Sequence, residues 1–280
     1  MGKVPSQRYR YKDIYINYLD HGSGTPILLL HGFGASSYSW RHVTAHFSAN
    51  YRVLSIDLKG FGLSDRPADF NYSLKEQGNI VTEFIRDKQL ENTTLIGHSL
   101  GGAVALVVYL TMQDIWRNAI QRLILIDSVS YPQHFPFFIQ LLRTPVLNRL
   151  AFALLPNKMM TRLILKTAFF DDSKITEEMV KIYGSYVGLK GSPHALSTTA
   201  QQIIPEDMNR IIDKYKSIKA PVLVIWGGND TIIPLSIGEK LAGEIANAQF
   251  KVIERCGHVP QEECPEQTLR SIDAFLRDSR

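Results

Sequence analysis

The sequence predicts an α/β protein with a mostly parallel sheet flanked by helices and a second helical region inserted into it. Short apolar runs alternate with amphipathic stretches along most of the 280 residues, which is typical of βαβ units. These runs are rich in Val, Ile and Leu without strict alternation, as expected for strands that are covered on both faces. The rhythm stops between residues 128 and 209, where the pattern indicates several consecutive helices.

The individual elements can be placed in order along the chain. The apolar runs predict strands over residues 26–30, 52–56, 93–96, 122–126, 221–226 and 250–253. The amphipathic stretches predict helices near residues 39–48, 73–88, 100–113, 235–245 and 265–278. Two earlier runs, near residues 8–12 and 14–18, alternate better, so we expect an antiparallel pair of strands there.

The inserted region divides the chain into a core, residues 1–127 and 210–280, and a helical cap, residues 128–209. No acidic residue occurs between Asp127 and Asp171, whereas five residues are basic: Arg143, Arg149, Lys158, Arg162 and Lys166. Apolar side chains crowd the first part of the cap: Phe135, Phe137, Phe138, Leu141, Leu142, Leu147, Leu150, Phe152, Leu154 and Leu155. We expect the cap to cover the carboxyl ends of the strands, where open α/β sheets bind ligands. An ordinary second core of buried helices is the alternative.

Composition limits the classes of function. Hydrophobic residues make up 45% and charged residues 21%, the balance of an ordinary globular protein. The net charge is +4 and the basic residues are spread along the chain, which gives nucleic-acid binding little support. The amino terminus lacks the apolar segment of a signal peptide, although M-G-x-x-x-S matches the loose pattern for N-myristoylation. We therefore expect a cytoplasmic protein, either a monomer or a dimer, without a nucleic-acid partner.

The strongest motif is G-H-S-L-G (97–101), which directly follows a predicted strand and precedes an apolar helix. In this context it predicts a sharp turn that exposes the Ser99 hydroxyl above the sheet edge, with glycines on either side leaving room for the backbone. The hydroxyl also lies at a helix amino terminus, whose partial positive charge favours developing negative charge. We predict that Ser99 is a nucleophile.

A serine nucleophile needs a base, and the base needs a group that orients it. His258 follows the strand at 250–253 in a loop before the last helix, from which it can reach the same sheet edge. Asp230 follows the strand at 221–226, so the chain order is serine, aspartate, histidine. Asp127 also ends a strand and is the competing acid. We favour Asp230 because its strand precedes the histidine strand directly.

The oxyanion that forms in acyl transfer needs backbone N–H donors. We expect one donor from Leu100, the residue after the nucleophile, and the other from Phe33 in H-G-F-G (31–34). The remaining histidines carry weaker signals: we expect His98 to point away from the serine as a packing residue and His31 to brace the loop after its strand. No supporting motif accompanies His21, His42, His46, His134 or His194.

The stretch R-C-G-H-V-P-Q-E-E-C (255–264) holds both cysteines of the chain. A structural zinc site needs four protein ligands, and this stretch offers two thiols and one imidazole without a second Cys/His cluster to complete the set. We therefore expect Cys256 and Cys264 to be reduced neighbours that pack the loop of the histidine, rather than a metal site or a disulfide. Glu262 and Glu263 are expected in the first turn of a helix.

Five motifs in this order resemble the α/β-hydrolase fold superfamily, in its single-domain branch with a cap. They are H-G-F-G (31–34), D-L-K-G-F-G-L-S-D-R-P (57–67), G-H-S-L-G-G (97–102), G-G-N-D-x-I-I-P (227–234) and G-H-V-P-Q-E-E (257–263). The resemblance covers most of the chain. It implies an eight-stranded sheet with the cap after the sixth strand, and a Ser–His–Asp triad that needs no metal or organic cofactor.

Within the superfamily the motifs favour carboxylesterases and monoacylglycerol-lipase-like enzymes. Haloalkane dehalogenases and epoxide hydrolases of this branch carry an aspartate where Ser99 stands, and proline iminopeptidases typically show G-G-S-W-G. Carbon–carbon bond hydrolases of the meta-cleavage type usually have a tryptophan where this chain has Val259. The resemblance thus implies a serine esterase with a small-molecule ester as its substrate.

The apolar cap favours a hydrophobic acyl group in that ester. Hydrolysis of a carbon–carbon bond, a lactone or a thioester by the same triad is an alternative. A ligand-binding receptor with an idle triad is another, because fold does not fix function. Seating of the cap on an anionic membrane surface is less favoured than simple solvation of its basic residues.

Overall fold

The computed structural model describes residues 6–144, 148 and 155–278. One sheet contains eight strands: β1 (Gln7–Tyr11), β2 (Ile14–His21), β3 (Pro26–Leu30), β4 (Arg52–Ile56), β5 (Thr93–His98), β6 (Ile120–Ile126), β7 (Val222–Gly227) and β8 (Ala248–Ile253). Their spatial order is β1-β2-β4-β3-β5-β6-β7-β8. The pairs β1/β2 and β2/β4 are antiparallel and all other neighbours are parallel, which confirms the predicted fold class.

The helices of the core cover both faces of the sheet. They are α1 (Arg41–Phe47), which a 3₁₀ turn precedes, α2 (Leu74–Asp87), α3 (Leu100–Ile115), α9 (Leu235–Glu244), α10 (Pro260–Glu263) and α11 (Pro265–Asp278). Successive strand residues face opposite sides: Leu28 and Leu30 belong to one buried cluster, whereas Ile27 and Leu29 belong to another. Because both clusters are apolar, the sequences of the central strands are continuous hydrophobic runs.

Five further helices lie between β6 and β7 in the part of the chain that the structure describes. They are α4 (Phe137–Arg143), α5 (Asn157–Ala168), α6 (Glu177–Val187), α7 (Ser192–Gln202) and α8 (Met208–Ile212). The cap boundaries at residues 128 and 209 stay a prediction. Five residues named for the cap lie outside the described residues, namely Leu147, Arg149, Leu150, Phe152 and Leu154, and so does most of the N-myristoylation pattern in residues 1–5.

Four strands are longer than the sequence predicts: β2, β5, β6 and β8. The second half of β2 contains Asp20, which accepts two hydrogen bonds from the guanidinium of Arg52 in β4. The edge strand β8 begins two residues earlier than predicted, and its side chains before Ile253 are exposed or half-buried, so no apolar run marks its start. Among the described residues, no helix is both long and apolar enough to cross a membrane.

Candidate active site

Ser99 occupies the sharp turn between β5 and α3. Its backbone has φ +52° and ψ −116°, a left-handed conformation that costs a non-glycine residue roughly 1–3 kcal/mol. Hydrogen bonds hold this conformation, since the N–H of Ser99 donates to Ile126 and its carbonyl accepts from Gly102 and Val129. A Cβ atom at Gly101 would lie 2.1 Å from the carbonyl oxygen of Leu30, so glycine is needed for this close approach. The turn therefore fixes the serine at the carboxyl edge of the sheet.

Three side chains predicted for catalysis meet at this edge. The Ser99 Oγ lies 2.9 Å from His258 Nε2, and His258 Nδ1 lies 2.7 Å from Asp230 Oδ2. Ser99 and His258 are 7% and 5% exposed, so the contacts are largely shielded from water. With Nδ1–H donating to the carboxylate, Nε2 is the free acceptor for the serine proton. This geometry is that of a nucleophile, a base and an orienting acid.

Asp230 is held by the turn that follows β7. Its Oδ1 accepts hydrogen bonds from the backbone N–H groups of Ile232 at 2.7 Å and Ile233 at 3.0 Å. Burial acts to raise the pKa of Asp230, but the charge of His258 and the hydrogen bonds to the carboxylate outweigh it and lower the pKa. An ionised Asp230 therefore faces the histidine.

Asp127, the competing acid, lies behind Asp230 instead of bonding to the histidine. Its Oδ1 accepts the N–H of Gly227 at 2.9 Å. Carboxylate oxygens of Asp127 and Asp230 and a ring nitrogen of His258 all lie within 4.8 Å of one another, a spacing that a metal ion also tolerates. Both nitrogens of His258 are already hydrogen-bonded, however, so the arrangement fits a triad better than a metal site.

The residues expected to supply the two oxyanion donors belong to segments next to the serine. Leu100 is the first residue of α3, directly after Ser99. The loop that carries Phe33 lies close to this turn. A Cβ atom added at Gly32 would be 3.1 Å from the Ser99 Cβ and 2.7 Å from the His98 Nδ1. The peptide between Gly32 and Phe33 is thus close to the nucleophile.

His98 does more than pack. Its Nε2 lies 2.7 Å from the backbone carbonyl of His258, so Nε2–H donates and fixes the peptide of the base. Burial, together with the charge of His258, lowers the pKa of His98 to about 3. His31 braces its loop as predicted: Nδ1–H donates to Gly32 and Nε2 accepts the N–H of Leu58.

Glu263 joins the loop of the base to the helices inserted between β6 and β7. It lies in the first turn of α10, as predicted, but its side chain is buried. Its carboxylate accepts the N–H groups of Gly257 at 2.7 Å, Phe170 at 3.0 Å and Asp171 at 2.8 Å. The N–H of His258 in turn donates to the carbonyl of Ala168 at 2.7 Å. Residues 168–171 and the histidine loop therefore form one hydrogen-bonded unit.

Glu262 makes a second connection to the same helices. Its carboxylate pairs with Arg41 of α1 and accepts the hydroxyl proton of Tyr183 in α6 at 2.8 Å. Beside it, Val259 packs in an apolar cluster with α5 and α6 residues, among them Val180 and Tyr183. The segment after the base is thus buried against the inserted helices by both polar and apolar contacts.

Both cysteines are free thiols packed in the apolar cluster on one face of the sheet. The hydrogen bond with Cys264 raises the pKa of Cys256 strongly, and burial raises it further. The Cys264 sulfur lies 3.8 Å from the Lys174 Nζ. Their position supports packing of the histidine loop.

The chain belongs to the alpha/beta hydrolase fold family, whose sequence model matches residues 25–265. It is 28% identical over 284 residues to a 2-hydroxy-6-oxononadienedioate/2-hydroxy-6-oxononatrienedioate hydrolase of Burkholderia vietnamiensis, with 95% of this chain and 92% of that protein covered. The structure resembles a meta-cleavage product hydrolase of Pseudomonas fluorescens at a TM-score of 0.79 and 25% identity, over 95% and 96% of the two chains. It also resembles an esterase of Thermogutta terrifontis at a TM-score of 0.80 and 23% identity, over 98% and 99%, which shows the shared fold.

Proposed function

We propose that the protein is a serine hydrolase that cleaves a carboxylic ester with a hydrophobic acyl group. The supporting observation is the chain of contacts from Ser99 Oγ through His258 to Asp230, at 2.9 and 2.7 Å. A serine in this arrangement can lose its proton to the imidazole as it attacks a carbonyl carbon. The membership in the alpha/beta hydrolase family agrees with such chemistry.

The reaction proceeds in two halves. Ser99 Oγ bonds to the carbonyl carbon while its proton passes to His258 Nε2, and Asp230 stabilises the imidazolium. The backbone N–H groups of Phe33 and Leu100 bind the oxyanion, each contributing about 3 kcal/mol to transition-state stabilisation. The imidazolium proton then goes to the leaving alcohol oxygen as the ester bond breaks. Water, deprotonated by His258, releases the acid from the acyl-enzyme.

Carbon–carbon bond hydrolysis is the second candidate, because two similar proteins carry that activity in their names. Such a reaction uses the same triad, but its substrate is a vinylogous diketone instead of an ester. Val259, where those enzymes usually have tryptophan, favours the ester over this candidate. It contacts the inserted helices on the side next to the base, where a tryptophan would occupy more of the space.

A substrate panel distinguishes these candidates. Wild type is assayed with p-nitrophenyl esters of graded acyl length and with a 2-hydroxy-6-oxo-dienoate, alongside Ser99→Ala and the control Ser55→Ala, a buried serine in β4. We expect medium-length esters to be the best substrates, Ser55→Ala to retain activity and Ser99→Ala to lose at least about 10³-fold in kcat. Faster turnover of the dienoate than of any ester would transfer the proposal to the second candidate.

An idle receptor on the same fold is tested independently of the substrate. A fluorophosphonate probe reacts with a serine only when a base activates it. We expect stoichiometric labelling at Ser99 in wild type and none in Ser99→Ala. An unlabelled wild type would contradict the proposed hydrolase.

A further inference from the structure

A second carboxyl group lies behind the acid of the triad. Asp127 follows β6 and is fully buried. Its Oδ1 accepts the N–H of Gly227 at 2.9 Å. Its Oδ2 is buried and accepts no hydrogen bond from the described residues. Oxygens of Asp127 and Asp230 and a nitrogen of His258 fall within 4.8 Å of one another. This carboxyl takes no part in the proton transfers of the proposed ester hydrolysis.

Two carboxylates this close in a site shielded from water do not both stay ionised, because like charges repel strongly at low dielectric. The pair therefore holds one proton between its members. Asp230 already accepts three donors, the N–H groups of Ile232 and Ile233 and the Nδ1–H of His258. Asp127 accepts one. The negative charge is accordingly better stabilised on Asp230, and the proton belongs to Asp127.

We propose that Asp127 is a positioning residue whose neutral carboxyl donates its Oδ2–H to the carboxylate of Asp230 and so holds that carboxylate against His258. This inference rests on the proposed function of the triad. The hydrogen bond gives the buried Oδ2 of Asp127 a partner. The carboxylate of Asp230 is then held both by the backbone of its own turn and by a side chain that follows the neighbouring strand.

The groups around Asp127 favour its neutral form. Burial and then the charge of Asp230 raise the pKa of Asp127 well above its ordinary value, and Glu263 acts in the same direction. The hydrogen bond from Gly227 opposes them. Cys256 also faces this carboxyl and stays a neutral thiol, since its own pKa is raised. The imidazolium of His258 that forms during the proposed reaction lies in contact with Asp230.

The test uses Asp127→Asn and Asp127→Ala. Asparagine reproduces the neutral form, since its oxygen accepts from Gly227 and its NH₂ donates to Asp230, and it tolerates the φ of +42° at this position. We expect Asp127→Asn to keep kcat/KM within about threefold and to leave the acid limb of its pH profile in place. Asp127→Ala removes the donor and should lose about 10- to 100-fold in kcat/KM.

An ionised Asp127 would give the opposite result for the asparagine variant. Its charge would favour the imidazolium of His258, so its removal would move the acid limb to lower pH by about one unit or more. Such a shift overturns the proposal. Equal kcat/KM for Asp127→Ala and wild type overturns it as well, because a positioning donor cannot be removed without effect.

A second measurement does not depend on turnover. In protein labelled with ¹³C at the aspartate carboxyl carbons, the resonance that disappears in Asp127→Asn is assigned to this residue. We expect it to stay at its protonated position at neutral pH, because burial and the neighbouring Asp230 carboxylate disfavour the charged form. Titration near pH 4, as for an ordinary aspartate, would overturn the proposal even if no ester or dienoate is hydrolysed. Failure of the proposed function and failure of this inference are thus distinguishable.

Discussion

Replacing Glu263 by glutamine removes one negative charge and one acceptor while keeping the shape of the side chain. In the wild type, Oε1 accepts the N–H of Asp171 at 2.8 Å and Oε2 accepts that of Gly257 at 2.7 Å, with Phe170 shared between them. A glutamine NH₂ must face one of these donors in either orientation. One buried N–H group is therefore left without an acceptor.

The expected magnitude follows from these contacts. A buried donor without a partner costs about 1–3 kcal/mol, and the bonds that remain lose the strength of a charged acceptor. We expect Glu263→Gln to lower the free energy of unfolding by about 3 kcal/mol. Because Gly257 precedes His258, the base also loses part of its orientation, and kcat/KM should fall about tenfold or more.

Urea unfolding and ester hydrolysis measure the two effects separately. Glu266→Gln is the exposed control, since its side chain is 88% exposed, and should change neither quantity. Glu262→Gln is the buried control in the same turn. It should lower stability without lowering kcat/KM comparably, because Glu262 contacts Arg41 and Tyr183 and not the peptide of the base. If Glu263→Gln unfolds within about 0.5 kcal/mol of wild type and keeps its kcat/KM, the positional role assigned to Glu263 is refuted.

Two further predictions concern buried contacts near the base. The pKa of His98 falls from 6.5 to about 3 on folding, so the stability this residue contributes is full above pH 6.5 and is lost as the pH falls toward 3. Between pH 6.5 and about pH 4, wild type should therefore lose about 1.4 kcal/mol per pH unit more than His98→Gln in urea unfolding, and parallel curves would contradict this. Tyr183→Phe removes the 2.8 Å hydrogen bond to Glu262 and should lower the free energy of unfolding by about 2 kcal/mol, whereas the more exposed Tyr15→Phe changes it by less than about 0.5 kcal/mol.

The strands were predictable where burial on both sides of the sheet leaves an apolar run. That pattern predicts β3 and β4 to the residue and β7 to within one residue at each end. It fails at the end of β2, where Asp20 and His21 are polar. There the strand is held by pairing with β4 and by the ion pair with Arg52, which are contacts that a local pattern does not contain.

Ser99, Asp230 and His258 were predictable because each lies in a short motif at the end of a strand. His98, Asp127 and Glu263 were not assigned their contacts, because their partners are distant in the sequence. His98 bonds to a residue 160 positions away, and Glu263 to residues 92 and 93 positions away. Charged residues after a proline indicate a first helical turn, and nothing in that pattern tells a solvated glutamate from a buried acceptor.

The hydrogen bonds between residues 168–171 and the histidine loop limit how the inserted helices can be replaced by those of a related protein. A segment inserted between two strands looks like a module that recombination can replace as a whole. Here the replacement would also remove the carbonyl of Ala168 that receives His258 and the donors that Glu263 accepts. A chimera that takes its inserted helices from a relative must therefore keep residues 168–171 compatible with the recipient's own histidine loop. We expect a chimera that keeps the recipient's residues 168–171 to retain more activity than one that replaces the whole insertion.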